Sequence, residues 1–290
     1  MRCACIDVGS NTTALLVAEL DGCSLTQLAT RRRFTLIGEG AGPAGISDSK
    51  IAEAEAAVTD LLAFAREQQA ERICVVATHV VREAANGAEL ARRVERVVGL
   101  PVEILDGHAE ARFSFIGATG GINGLRRPTI VIDAGGGSTE VTHCLPGGEP
   151  RTASFTVGSA AIQAKYLHDD PPSDAQLAAA RDYVEQSFSL LAAADGYDTA
   201  LVVGGGASTA QAILGGVIDR AGADRVLATA TKQNAAQLAE RFVIEIHRAR
   251  LLPASLIVLG ALSDHLGLEL EVGRGGLREG VLIDRYGRAS

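Results

Sequence analysis

Two short stretches of this chain share one pattern, and that repetition restricts the fold more than any other feature. Val131 to Val141 reads V-I-D-A-G-G-G-S-T-E-V. The apolar run Thr129 to Ile132 predicts a buried strand, and it ends at a carboxylate, Asp133. Gly135, Gly136 and Gly137 follow, then Ser138 and Thr139, then a second carboxylate, Glu140, before β-branched residues resume. The pattern predicts strand, tight turn, strand. Consecutive glycines admit positive φ and let backbone N–H groups approach an anion, so residues 135–139 form a candidate phosphate cradle. Asp133 and Glu140 flank it, and hard carboxylate oxygens beside a phosphate suit Mg²⁺, with Mn²⁺ as a substitute. A plain hairpin would account for a lone triple glycine. The bracketing carboxylates and hydroxyls favour phosphate.

Ala4 to Leu16, A-C-I-D-V-G-S-N-T-T-A-L-L, repeats the pattern. Asp7 heads this copy and Asp133 the other, 133 − 7 = 126 residues apart. Gly9, Ser10 and Asn11 become the matching phosphate contacts, and Asp7 a third metal carboxylate. The repeat predicts two similarly built halves whose aspartate loops face one cleft. A third cluster, Gly204 to Thr209, follows the apolar run Ala200 to Val203. It predicts a helix N-terminus suited to an anion, with Gly205, Gly206 and Ser208 as contacts.

A chain of 290 residues with 47% apolar and 21% charged residues has material for one large or two ordinary globular domains. A net charge of −8 and pI of about 5.3 argue against a broad nucleic-acid surface. Any polyanion site must be locally basic. Five cysteines without metal-ligand spacing read as buried thiols in a reducing compartment. The first strand begins without a secretory leader, and no apolar run approaches membrane-spanning length. Cytoplasmic location, with neither membrane nor nucleic acid as partner, is the expectation; a homodimer is admitted.

Taken in order, residues 3–20 predict a hairpin and Ser24 to Ile37 a third strand. That strand carries Arg31, Arg32 and Arg33, which alternate faces and read first as a solvated edge. Gly38 to Gly45 is a glycine-rich loop, and Ser47 caps a helix over 48–68. Arg72 to Ala77 is a buried strand, 90–98 a helix and 102–105 a strand. Glycines 117, 120, 121 and 124 mark a connector, with the domain boundary near Gly120. Strands follow at 129–133, 138–145 and 151–157. Helices are expected at 159–167, from 174 to about 194, at 231–249 and at 255–266, then a strand at 268–272 and a terminal helix.

With these residues in view, the chain resembles the exopolyphosphatase/guanosine pentaphosphate phosphatase family of the actin-like superfamily. I-D-V-G-S-N-T, V-I-D-A-G-G-G-S-T-E and G-L-R-E-G occur in the family's order across nearly the whole chain. The resemblance implies an α/β fold of two duplicated actin-like (ribonuclease H-like) domains with an interdomain cleft. Residues 1–119, completed by a returning helix at 277–290, would form the first domain and 120–276 the second. Thr78, Arg82 and Asn86 match a family signature in which Arg82 would contact phosphate; without the resemblance Arg82 reads as an exposed helix arginine. Glu110 matches the proposed catalytic base, although a first-turn glutamate complementing a helix dipole explains it as well. Ala109 stands where the family has a first Glu, and Ala207-Ser208 where it has Gly-Thr. The resemblance implies Mg²⁺-dependent release of terminal phosphate from inorganic polyphosphate or guanosine pentaphosphate, with short substrates preferred. A non-catalytic sensor of guanosine penta- or tetraphosphate, and a small-molecule kinase, are the alternatives.

Overall fold

The computed structural model describes residues 1–39, 45–120 and 125–287, so parts of the expected 38–45 loop and 117–127 connector lie outside the described residues. The chain divides into two compact units, Met1–Gly124 with Gly275–Ser290, and Leu125–Arg274. In the first, β1 (Arg2–Val8), β2 (Thr13–Asp21), β3 (Ser24–Arg33), β4 (Arg72–Ala77) and β5 (Val102–Ile104) form a sheet ordered β3-β2-β1-β4-β5. Its helices are α1 (Asp48–Glu67), α2 (His79–Glu83), α3 (Gly87–Val98), α4 (Gly107–Thr119) and α11 (Leu277–Tyr286).

The second unit repeats that topology. β6 (Thr129–Ala134), β7 (Thr139–Cys144), β8 (Arg151–Phe155), β9 (Thr199–Val203) and β10 (Leu270–Val272) form a sheet ordered β10-β9-β6-β7-β8. In each unit the first three strands are antiparallel and the next two parallel to the first. Helices α5 (Ser159–Tyr166), α6 (Asp174–Phe188), α7 (Gly205–Leu214), α8 (Arg220–Ala230), α9 (Ala235–Phe242) and α10 (Ile246–Leu266) complete it.

Period-two alternation sorts the side chains of β1 onto two faces. Ala4, Ile6 and Val8 pack with Leu15, Val17 and the α1 residues Ile51, Val58 and Leu61. Cys3 and Cys5 point the other way, with Leu16, Phe113 and Ile116 of α4, and Val281 and Leu282 of α11. Asp7 continues that second row. In the second unit Ile130, Ile132 and Val141 enter the main core, so Asp133 and Glu140 lie on the opposite face.

The G-L-R-E-G segment is a docking device. A Cβ on Gly280 would come within 1.7 Å of the Phe113 carbonyl oxygen, and one on Gly117 within 1.9 Å of the Gly276 oxygen. Reciprocal glycines thus let α4 and α11 approach backbone to backbone. Glu279 accepts from the Gly276 N–H at 2.9 Å and closes the first turn, while Arg278 Nη1 donates to the Leu15 carbonyl at 3.3 Å.

Several expected elements change. Strand β3 stops at Arg33 rather than Ile37, because Leu36 takes φ 47° and its N–H bonds the Asn11 carbonyl instead of a strand neighbour. Helix α6 ends at Phe188, short of 194. The single helix expected over 231–249 is two elements: Asn234 caps α9, Val243 ends it in the left-handed region at φ 54°, and α10 begins at Ile246. α8 was absent from the sequence expectation. α10 begins at Ile246 and runs through Pro253, so the expected start at 255 is nine residues too late. By length and composition α10 could cross a membrane, against the expectation that no run approaches that length, yet 78% of its apolar window is buried inside the protein. Cys3, Cys5, Cys74 and Cys144 are buried as expected, whereas Cys23 is exposed.

Gly280→Ala should destabilise the protein by ~3 kcal/mol or more, since the methyl meets backbone that cannot yield. Thermal unfolding beside an Ala118→Gly control in the same helix pair checks this.

Candidate active site

Each aspartate loop is closed by the same bond. Gly9 N–H donates to the Thr12 carbonyl at 3.0 Å, and Gly135 N–H to the Ser138 carbonyl at 3.0 Å. The outer carbonyls are then tied down. In the first loop Ser10 O accepts from Gly38 N–H at 2.8 Å and Asn11 O from Leu36 N–H at 3.0 Å. In the second, Gly135 O accepts from Ser159 N–H at 3.1 Å, and Gly136 O from Ala160 and Ala161 at 2.8 and 3.0 Å. In a trans peptide the N–H points opposite to the C=O of the same plane. The N–H groups of Asn11 and Thr12, and of Gly136 and Gly137, therefore point away from these supports. These are the amides a phosphate would meet, whereas the Gly9 and Gly135 amides are spent on loop closure. Gly158 is needed behind the second loop, as a Cβ there would fall 2.4 Å from the Gly136 oxygen.

Other expected contacts have structural duties. Thr139 is fully buried and its hydroxyl donates to Val157 O at 2.5 Å. Ser10 and Ser138 are buried within their loops. Both ends of the Asn86 amide hold the Ile46 backbone, at 2.8 Å each, so this signature residue pins the entry to α1.

Asp133 and Glu140 are directly opposite in the β6–β7 register. They share one sheet face, and Ser154 on β8, opposite Glu140, donates its hydroxyl to Glu140 Oε1 at 2.8 Å. Glu140 is only 2% exposed. Two facing carboxylates repel, so a cation between them would relieve the pair. Among the described residues no three or more His, Cys, Asp or Glu side chains cluster as a metal site. Two carboxylates suit Mg²⁺, which keeps several waters and takes further oxygens from substrate phosphate. The donor set fits that ion and would not make a protein-only cage.

Glu110 and Arg82 form the centre of the first unit's polar cluster. Asp106 caps α4 by accepting from Ala109 N–H at 2.7 Å, which sets Glu110 in the first turn. Glu110 is 6% exposed, and its Oε1 accepts from Arg82 Nη1. The same guanidinium donates to Leu105 O at 2.7 Å and to Glu83 Oε1 at 3.2 Å, and its Nη2 lies 3.3 Å from His79 Nδ1. Arg82 is thus a half-buried fork rather than a free surface arginine. Burial, then the nearby Arg82 charge, hold the His79 imidazole below its ordinary pKa of 6.5, while Glu83 opposes them. Neutral His79 can accept from Arg82, a support that its sequence position did not suggest.

The third glycine cluster opens α7; Gly204 takes φ 114°, and a Cβ there would strike the Ala134 oxygen at 2.3 Å, so only glycine fits. Gly205 and Ser208 are exposed there, and the Ser208 hydroxyl donates back to Gly204 O at 3.1 Å. Arg248, which no motif singles out, reaches this turn from α10. Its Nη1 donates to Gly205 O at 2.8 Å and to Thr209 Oγ1 at 2.6 Å.

A pair of topologically equivalent sheets, three antiparallel strands extended by two parallel ones, with an aspartate ending the first strand of each, defines the actin-like class. Within that class, residues 16–289 match the Ppx/GppA phosphatase family, and the chain belongs to it. It is 31% identical over 198 residues to exopolyphosphatase 2 of Mycobacterium tuberculosis, a match that covers 64% of this chain and 61% of the relative. It is 26% identical to exopolyphosphatase 1 of Mycobacterium bovis, across 98% of this chain and 88% of the relative. The fold matches a Ppx/GppA enzyme of Aquifex aeolicus at TM-score 0.79 and 25% identity, covering 98% and 99% of the two chains. An exopolyphosphatase of Cytophaga hutchinsonii shares the fold at TM-score 0.85 and 19% identity, over 98% of each chain.

Because His79 is held below its ordinary pKa of 6.5 in the fold, the unfolded chain binds its proton more readily. Its contribution is present above about pH 6.5 and is lost as pH falls below that value. His79→Asn, which keeps an acceptor for Arg82, should flatten the acid limb of a stability–pH profile between pH 7 and about 5.

Proposed function

We propose that this chain is a phosphohydrolase that releases terminal phosphate from inorganic polyphosphate or guanosine pentaphosphate. The family and the names of its relatives support this class of substrate, and the observation that carries hydrolysis is Glu110. Glycine loops and paired carboxylates would serve a kinase equally well. A buried carboxylate in the first turn of α4, held by an arginine and set on the α4/α11 side of the first sheet, is what hydrolysis additionally needs: a base for water.

The amides of Asn11, Thr12, Gly136 and Gly137 would bind phosphate oxygens, with the N-terminus of α7 as a further anion contact. Arg82 would present its planar fork to a phosphate. As a phosphate oxygen takes one of its donors, Glu110 is left to accept from water, to orient it and to take its proton. Proton transfer then follows substrate arrival rather than preceding it. Asp133 and Glu140 would hold Mg²⁺, which would supply charge neutralisation for the transferring phosphoryl and leaving oxygens. Ala109 and Ala207 do not oppose this reading. Ala109 packs against the apolar cluster beneath α4, and Ala207 is fully buried in the second unit's core, so neither side chain occupies a loop's amide edge.

Phosphate release from tripolyphosphate and from guanosine pentaphosphate, with Mg²⁺ and with excess chelator, tests the proposal. Glu110→Gln should cut turnover about 10²–10⁴-fold while substrate binding is largely kept. Normal turnover by that variant would remove the base. Glu140→Ala should raise the Mg²⁺ concentration needed for half-maximal rate and lower the rate itself. Full activity in chelator would remove the metal assignment. ATP-dependent transfer to a hydroxyl acceptor, without phosphate release, would mark a kinase.

A further inference from the structure

We infer that Lys50, in the first turn of α1, is a positioning residue for the first aspartate loop, acting through two peptide planes on the Thr12 amide; the inference rests on the phosphohydrolase reading and deepens it. The carbonyls of that loop are held by residues 35–38, a short strap that runs beside it. Thr35 Oγ1 lies 3.1 Å from Oγ1 of Thr13, the residue that follows the loop, and both side chains are buried. Leu36 N–H reaches Asn11 O at 3.0 Å and Gly38 N–H reaches Ser10 O at 2.8 Å, while Ile37 between them is fully buried. Every strap residue thus has an anchor, and all but Ile37 find it on the loop or at its edge. Leu36 makes this run at φ 47°, a left-handed conformation that a bulky side chain rarely adopts, so the strap must be held in place from outside.

Lys50 supplies that hold. Its Nζ donates to Thr35 O at 3.0 Å, and a second bond to Glu53 Oε2 at 2.9 Å steadies the side chain from the next turn. Thr35 C=O and Leu36 N–H belong to one peptide plane, so fixing the carbonyl sends the N–H the opposite way, onto Asn11 O. Asn11 C=O and Thr12 N–H belong to the next plane, so Thr12 N–H in turn points away from the strap, to where a phosphate would sit. The ammonium therefore heads a chain of hydrogen bonds that runs through the Thr35–Leu36 and Asn11–Thr12 peptides. Hydrogen bonds in a chain polarise one another, and a cation at the donor end makes the last N–H a better partner for an anion. Lys50 does this without touching the ligand. The second loop is backed differently: Gly136 O accepts from Ala160 and Ala161 at 2.8 and 3.0 Å, the first amides of α5 and the positive end of that helix. A helix terminus stands behind one loop and a lysine behind the other.

The test compares Lys50→Met and Lys50→Arg with Arg93→Met, using tripolyphosphate at saturating Mg²⁺. Arg93 on α3 clamps α1 through both Glu55 oxygens, at 2.9 and 2.8 Å, and so controls for the packing of α1 alone. An amide that holds phosphate alike in ground and transition states affects KM and leaves kcat. Lys50→Met, which keeps the stem and removes the charge, should raise KM about 3- to 10-fold with kcat within about twofold. Lys50→Arg, still a cationic donor, should restore most of the loss, and Arg93→Met should lower thermal stability and leave KM alone. Leu36→Gly loosens the strap with Lys50 intact, should raise KM in the same range, and decides the matter if Lys50→Met does not fold. A KM for Lys50→Met within about twofold of the parent would overturn the inference, as would an equal rise for Arg93→Met or a loss confined to kcat. If the parent releases phosphate from neither substrate, the phosphohydrolase reading fails by itself. Calorimetric binding of tripolyphosphate then tests Lys50 separately: weaker binding by Lys50→Met than by parent and Arg93→Met supports the role, and equal or absent binding overturns it.

Discussion

The Gly9–Thr12 and Gly135–Ser138 hydrogen bonds are the constraint from which the polar chemistry follows. Each closes a loop directly after an aspartate at the end of a central strand. Closing the loop fixes which carbonyls face inward, and neighbouring segments then hold those carbonyls. Peptide planarity does the rest, because an anchored carbonyl dictates the direction of the next N–H. Each loop is pre-organised by backbone alone. Side chains at the loops are therefore free to differ: the first uses Ser10 and Asn11 where the second uses glycines, and the geometry survives.

Charge is distributed around this frame with a consistent logic. Buried or half-buried ionisable groups are costly unless each is paired or awaits a partner. Arg82 and Glu110 satisfy one another, supported by Leu105 O and neutral His79. Asp133 and Glu140 cannot do so, since both are anionic and directly opposed. The first pair joins opposite charges, while the second sets two carboxylates face to face, with Ser154 donating to Glu140.

Much of the frame was legible because it is written in local patterns. Alternating apolar residues, Ser47 as a cap, and the two strand–aspartate–glycine stretches each act within a few residues. The errors fall where distant packing overrides local preference. Val243 is a poor candidate for the left-handed region, and it ends α9 only because its turn closes back onto the preceding helix. Pro253, which has no backbone N–H, lies buried inside α10, although the expected helix starts only at 255. Strand β3 loses its last residues to the first loop, which claims the Leu36 N–H. Arg248 and His79 became visible only when helices brought them beside Gly205 and Arg82.

The G-L-R-E-G segment shows why a recognised motif and a functional site need not coincide. It carried much of the family resemblance, and each of its residues has a packing reason. Gly280 admits the Phe113 carbonyl of α4, the Gly276 carbonyl packs against Gly117, Glu279 caps the helix start and Arg278 ties it to β2. Its effect on chemistry is indirect. α4 is the helix that holds Glu110, and α11 is packed against it without intervening side chains. A displacement of α11 would therefore move the base relative to the Asp7 face before it altered any contact to phosphate. Tight glycine packing between α4 and α11 thus sets the precision with which the proposed base is held.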